Sequence, residues 1–220
     1  MKTSVIIPAS GAGTRLGGNV PKQFLQLNGE PILRRTLGIF DALEYVEIAV
    51  AVPEEFLADV AEYELVTPLH IIAGGKSRAE SVYAALQAIS PYTEIVLIHD
   101  GIRPFVTPET IRAVAQAAAT HGAAIAATPV TDTIKQADAH GKIIATPDRA
   151  ALWQAQTPQG FAYEIITRAY ATAYADGMLA TATDDAFLAE RLGISVHIVP
   201  SPPTNIKITT QMDLKIARVL

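Results

Sequence analysis

Short apolar runs recur along this chain, each followed by a polar or glycine-rich turn and then by a helix-length stretch. Thr3-Ser4-Val5-Ile6-Ile7, Glu47-Ile48-Ala49-Val50-Ala51-Val52, His70-Ile71-Ile72, Glu94-Ile95-Val96-Leu97-Ile98 and Ala123-Ala124-Ile125-Ala126-Ala127 read as strands. Helical stretches fall between them, near 31–42, 54–63, 78–89 and 108–121. Nearly unbroken apolar strands alternating with helices predict an α/β fold: a mostly parallel sheet covered by helices on both faces. Such sheets bind ligands at the carboxyl ends of their strands. Here those ends are 8–15, 74–81, 99–103 and 129–133, all rich in glycine or polar residues. They predict one shared site.

The alternation breaks after residue 130. Residues 131–156 are polar, with a turn signal at Asp138-Ala139-His140-Gly141 between Thr133-Ile134-Lys135 and Lys142-Ile143-Ile144. This reads as a β-hairpin projecting from the sheet. A lone two-stranded hairpin is marginal in water, so a second copy of the chain is its natural support. Helices near 161–175 and 184–192, a strand at 195–199, a short strand at Asn205-Ile206-Lys207-Ile208 and a helix at 210–219 complete the reading. The 220 residues are read as one domain, 1–220, with an arm at approximately 132–156. That length buries about 70% of the unfolded surface.

Composition narrows the function classes. Half the residues are hydrophobic and 18% are charged, which excludes a disordered chain. A net charge of -5 speaks against general nucleic-acid binding, so any anion needs a local cluster of cations. With no cysteine there is no disulfide, thiolate metal site or cysteine nucleophile. The five histidines are scattered, with no H-E-x-x-H pair. No apolar run is long enough to span a membrane and no targeting signature opens the chain, so a cytoplasmic protein is expected.

The loop after the first strand, Pro8-Ala9-Ser10-Gly11-Ala12-Gly13-Thr14-Arg15-Leu16, is closed by Pro21-Lys22-Gln23. Gly11 and Gly13 let backbone N–H groups approach an anion closely. Arg15 and Lys22 add positive charge, which suits a nucleoside triphosphate. It is not a Walker loop, because Asn19-Val20 follows Gly18 where Lys and Ser or Thr belong. It is not the dinucleotide fingerprint either, because Leu16 stands at the third glycine position. An ordinary strand-to-helix turn is the plain alternative.

Further on, Gly74-Gly75 with Ser77, Glu80 and Ser81 pairs a loop with a helix start. Ser77 could be a simple cap in a capping box with Glu80. Asp100 and Arg103, in His99-Asp100-Gly101-Ile102-Arg103-Pro104, stand at a strand end facing the cleft, although they could only pair with each other. His99 is read as structural. Arg149 suits a bidentate grip on phosphate, and Trp153 a packing anchor for the arm. Thr183-Asp184-Asp185 could cap a helix or touch substrate. Lys207 could face solvent or reach a phosphate.

Together, P-A-S-G-A-G-T-R, P-K-Q, G-G-x-x-R-x-x-S, H-D-G-I-R-P, P-V-T-D-T-I-K, D-R, L-W-x-x-Q-T-P-Q, T-D-D and N-I-K-I-T resemble the 2-C-methyl-D-erythritol 4-phosphate cytidylyltransferases over essentially the whole chain. The resemblance implies a Rossmann-like nucleotidyltransferase fold with the arm joining a homodimer. It implies transfer of the cytidylyl group of CTP to 2-C-methyl-D-erythritol 4-phosphate in the non-mevalonate isoprenoid route, with Mg2+ or another divalent cation. By position, Arg15 and Lys22 match the catalytic pair. Ala9, Ser10, Gly11, Gly13, Gly75, Ser81, Asp100 and Lys207 match the CTP site. Asp100, Arg103, Thr133, Arg149, Thr157, Thr183 and Lys207 match the polyol phosphate site, with Arg149 reaching the neighbouring subunit. No residue is a firm metal ligand, Asp100 being the nearest. The chain departs from the common pattern at Ser10 (often Ala), Gly101-Ile102 (usually Ala-Ala) and Asp185 (commonly Glu). Two other functions compete: transfer to ribitol 5-phosphate, and a non-catalytic nucleotide-binding scaffold.

Overall fold

Residues 1–11, 20–43 and 45–220 are described in the computed structural model of the chain. The β-branched run at the N-terminus forms β1 (Thr3–Pro8), buried along its whole length. A short hairpin follows, β2 (Gln26–Leu27) and β3 (Glu30–Pro31), turning on Asn28-Gly29 with φ of 53° and 89°. Asn-Gly tolerates both positive angles, which is why the pair makes a tight turn. Sequence reading overlooks it because the strands are only two residues long. Then come α1 (Ile32–Asp41), β4 (Glu47–Val52), α2 (Leu57–Ala61), β5 (Leu69–Ala73), α3 (Arg78–Leu86), β6 (Ile95–Ile98), α4 (Pro108–His121) and β7 (Ala123–Pro129). The arm carries β8 (Gln136–Ala137) and β9 (Ile143–Ala145). β10 (Trp153–Ala162), α5 (Tyr163–Ala175), α6 (Asp185–Arg191), β11 (His197–Pro200) and α7 (Gln211–Ala217) complete the chain.

The described residues form a seven-stranded sheet in the order β11-β7-β10-β6-β1-β4-β5. β1 pairs in parallel with β4 and β6, and β4 with β5, so their carboxyl ends share one edge of the sheet. Alternation along β1 divides the core. Val5 and Ile7 pack with Leu33, Leu37 and Phe40 of α1 and with α4, whereas Ile6 packs with α3, α5 and α6. Burial on both faces explains why these strands read as unbroken apolar runs. Each fully buried side chain of this kind contributes about 1.5–3 kcal/mol.

Two expectations need correction. The chain from Trp153 onward is not the arm's return limb followed by a helix at 161. It is β10, which enters the middle of the sheet antiparallel to both β6 and β7, and α5 starts at Tyr163. Glutamines, a proline and a glycine hide it from a strand reading. A register shift between Ala155 and Gln159 accommodates the irregularity. Gly160 lets α4 approach, because a Cβ there would lie 2.9 Å from Val114 Cγ1 and 3.1 Å from Ala118 Cβ. The second correction concerns Asn205-Ile206-Lys207-Ile208, which is no strand. It is an extended segment held by Ile208 N–H donating to Ile102 O at 3.0 Å and by burial of Ile208 with Leu27, Ile32 and Leu214. No helix among the described residues is long and apolar enough to cross a membrane.

Candidate functional site

The carboxyl ends of β1, β5 and β6 enclose a cavity of about 410 Å³. Ala9, Ser10 and Gly11 form one wall and Gly75 faces them, with Lys22, Asp100 and Lys207 completing the lining. A second cavity, about 340 Å³, is lined by Arg103, Thr157 and Thr183 and again by Asp100 and Lys207. Arg78, Asp100 and Lys207 belong to both. Two compartments therefore meet at one charged cluster.

That cluster is built on the turn after β6. Asp100 is buried, with Oδ1 accepting from Arg78 Nε at 2.9 Å. Its Oδ2 lies 2.9 Å from Lys207 Nζ and 3.3 Å from Arg103 Nε. Burial alone would raise this carboxyl. Arg78, Lys207 and Arg103 outweigh burial and hold it far below the usual carboxylate range, so it is ionised. Lys207 points inward because its neighbours Ile206 and Ile208 take the apolar side. Arg103 also donates to Asn205 O at 2.8 Å, locking the 205–208 segment to the Asp100 turn. Arg78 grips Asp185 bidentately at 2.9 and 2.8 Å, and Tyr170 donates its hydroxyl to the same carboxylate. Three cations thus face two buried carboxylates, leaving positive charge for an anionic ligand.

His99 and Thr157 stiffen the turn from below. Asp100 N–H donates to Thr157 Oγ1 at 3.0 Å, and Thr157 lies 3.1 Å from His99 Nδ1. His99 Nε2 lies 3.0 Å from Arg103 O, an acceptor only, so Nε2 carries the proton and Nδ1 accepts from Thr157. Thr157 lines the second cavity, yet its hydroxyl is committed inside the protein. Burial pushes His99 down from 6.5 to about 4. Between these values the unfolded chain binds a proton that the folded chain refuses, so stability falls as pH drops from 6.5 towards 4. The loss expected is about 3 kcal/mol. Urea denaturation of the parent and of His99→Gln at pH 7 and pH 4.5 checks this, since the variant should lose distinctly less. Equal losses would overturn the reading.

The remaining expected site residues are distributed as follows. Ser81 lies wholly buried behind the wall of the first cavity, bonded to Ser10 Oγ, Gly75 N–H and Ser77 O. Thr133 and Arg149 are exposed on the arm and line neither cavity, and Arg149 donates to Thr131 O at 2.7 Å. Gly13 and Arg15 lie outside the described residues. Ser77 caps α3 by accepting from Glu80 N–H, while the Glu80 carboxylate turns to Lys76 N–H, so only half of a capping box forms. Asp184 caps α6. Sequence reasoning gave no role to Arg78 or to Gln159, which accepts from Asp185 N–H and donates to Asp184. The one available signal was an aspartate, Asp185, where a short helix enters the core. Among the described residues no three His, Asp or Glu side chains converge to hold a metal. Asp100 is the one carboxylate among the described residues lining the first cavity, and both its oxygens already face cations.

A small-residue loop on β1, cations at parallel strand ends and a second compartment beside the first define a nucleotidyltransferase of the α/β class. The sequence model of the 2-C-methyl-D-erythritol 4-phosphate cytidylyltransferases matches residues 3–220. The chain belongs to that family. It is 46% identical to the protein of that name from Symbiobacterium thermophilum, over 99% of this chain and 92% of the relative. It is 45% identical to the one from Thermosynechococcus vestitus, over 97% and 92%. Its fold is similar to the crystal structure of the Thermus thermophilus protein, with 36% identity, a TM-score of 0.82 and coverage of 100% and 98%. A solved 4-diphosphocytidyl-2C-methyl-D-erythritol synthase from Anaerococcus prevotii gives a TM-score of 0.89 at 29% identity, over 99% and 94%.

Proposed function

We propose that the chain transfers the cytidylyl group of CTP to 2-C-methyl-D-erythritol 4-phosphate, releasing pyrophosphate. The observation that carries this reading is the meeting of two cavities at Arg78, Asp100 and Lys207. One takes the nucleotide, with its base against the uncharged Ser10–Gly75 wall and its phosphates towards Lys22 and Lys207. The other takes the polyol phosphate between Arg103 and Thr183. The acceptor's own phosphate oxygen attacks the α-phosphorus, the bond to the β-phosphate oxygen breaks, and pyrophosphate leaves. No side chain serves as nucleophile. The protein aligns the two substrates and opposes the charge that builds on the phosphates. Fixed cations at a strand end do this well, because Asp100 and Asp185 already hold them in place.

A divalent cation, Mg2+ by this reading, neutralises the triphosphate when bound. The residues fit a cation carried by the triphosphate, because among the described residues the first cavity offers a single carboxylate, already facing cations. Pyrophosphate release with CTP and magnesium tests the activity, with methylerythritol phosphate and ribitol 5-phosphate offered in parallel. Release with the first acceptor alone is expected, and EDTA should abolish it. Release with ribitol phosphate alone would overturn the acceptor, and release with neither would favour the scaffold.

The arm supports a homodimer. Ile143 and Ile144 are each 57% exposed on a two-stranded hairpin that cannot stand alone in water. A second copy would cover them and receive Arg149 and Thr133 into its polyol phosphate cavity. Mixed dimers of Arg149→Ala and Lys22→Ala chains should then regain up to about half the parental activity, because one of the two sites is intact. No recovery in proven heterodimers would refute the exchange.

A further inference from the structure

Ser81 sits on α3 behind the uncharged wall of the first cavity, with none of its surface exposed. Its hydroxyl oxygen lies 2.9 Å from Ser77 O, 3.1 Å from the Gly75 nitrogen and 2.6 Å from Ser10 Oγ. A hydroxyl has one proton to give. Giving it to Ser77 O is the ordinary back-bond of a helical serine to the carbonyl four residues earlier. Gly75 N–H can only donate. Ser10 must then donate to Ser81, for the reverse arrangement would set two lone-pair-bearing oxygens against each other at Ser77 O. All three contacts are satisfied in one arrangement alone.

Ser10 Oγ therefore has its proton turned inward and presents only lone pairs to the cavity that it lines. The loop that carries it is held in place. Ala9 N–H donates to Ala51 O at 2.7 Å and Gly74 N–H to Val52 O at 2.8 Å, so both loops are tied to β4. They touch so closely that a Cβ on Gly74 would lie 2.1 Å from Ser10 Cβ.

We propose that Ser10 is a specificity-determining residue, an acceptor-only reader that takes the ring amino group of cytosine and repels the carbonyl that uracil carries at the same place. This rests on the reading above, in which the base lies against the Ser10–Gly75 wall. A buried polar group selects its complement because the wrong partner leaves it unpaired.

The test is kcat/KM for CTP and for UTP, at saturating methylerythritol phosphate and magnesium, in the parent and in Ser10→Ala. The CTP-to-UTP ratio should fall by about tenfold in the variant. A merely structural role would lower both nucleotides together and leave the ratio unmoved, and that result overturns the proposal. Thermal melting reports whether Ser10→Ala keeps the fold. Should it not, Ser81→Ala carries the test, because it frees the Ser10 proton to meet a carbonyl and should raise UTP use relative to CTP. A parent that uses neither nucleotide overturns the functional reading and this proposal with it. A parent that uses CTP with an unmoved ratio in the variant overturns this proposal alone.

Discussion

Lys22→Ala should lower turnover by at least about 10²-fold while leaving the fold intact. Lys22 opens a 3-10 turn, Lys22–Phe24, whose neighbouring residues are anchored in the fold. Gln23 is buried and donates its amide to Ala9 O, and Phe24 stacks on Phe56 with ring centroids 4.1 Å apart. These anchors remain when the ammonium is removed, and thermal melting of the variant separates a loss of charge from a loss of structure. A factor of 10² corresponds to about 2.7 kcal/mol of transition-state stabilisation, the scale of one preorganised electrostatic contact in a water-poor site. Steady-state pyrophosphate release with unchanged kcat would refute the role. A raised KM for CTP alone would assign Lys22 to ground-state binding instead.

Arg78→Ala should destabilise the protein by about 3–5 kcal/mol, the range for breaking a buried ion pair from one side. Burial opposes the charge on Arg78, yet Asp185 and Asp100 raise its pKa well above the ordinary value. Without the guanidinium, the fully buried Asp185 carboxylate keeps the neutral Tyr170 hydroxyl as a donor. A fall in melting temperature on the order of 10 °C would follow for a chain of this size. The double variant Arg78→Met with Asp185→Leu should recover most of that stability, since removing both charges removes the unpaired one. It should not recover activity, because Asp100 still lacks its Oδ1 partner and a cation shared by both cavities is gone. A double variant as unstable as the two single losses summed would show that the pair is not the unit described.

Much of this molecule can be read from its residues in order. β1, β4, β6 and β7 are visible because each is largely buried on both faces and so is nearly continuously apolar. The helix α4 is visible because Thr107 caps it, Pro108 opens it and Gly122 ends it at a φ of 86°. Ala9, Ser10, Asp100 and Arg103 fall at strand ends, and in a parallel sheet strand ends converge. Local signals sufficed for these because the physics behind them is local.

Other features depend on partners far away in sequence. β10 looks like a loop until β6 and β7 supply hydrogen bonds on both sides and α4 approaches Gly160. Lys207 reads equally as solvent-facing or ligand-facing until Ile208 is buried against Ile102 and fixes which way the lysine turns. Arg78 looks like one more charge in the first turn of a helix, and its two partners lie 22 and 107 residues away. The sequence by itself determined the apolar strands, the glycine-rich stretch after the first of them and the kinds of charge at the strand ends, because burial and turn chemistry are written over a few neighbouring residues. Only the tertiary structure decided which of those charges meet, because an ion pair is set by distance in space and the chain order carries no measure of it.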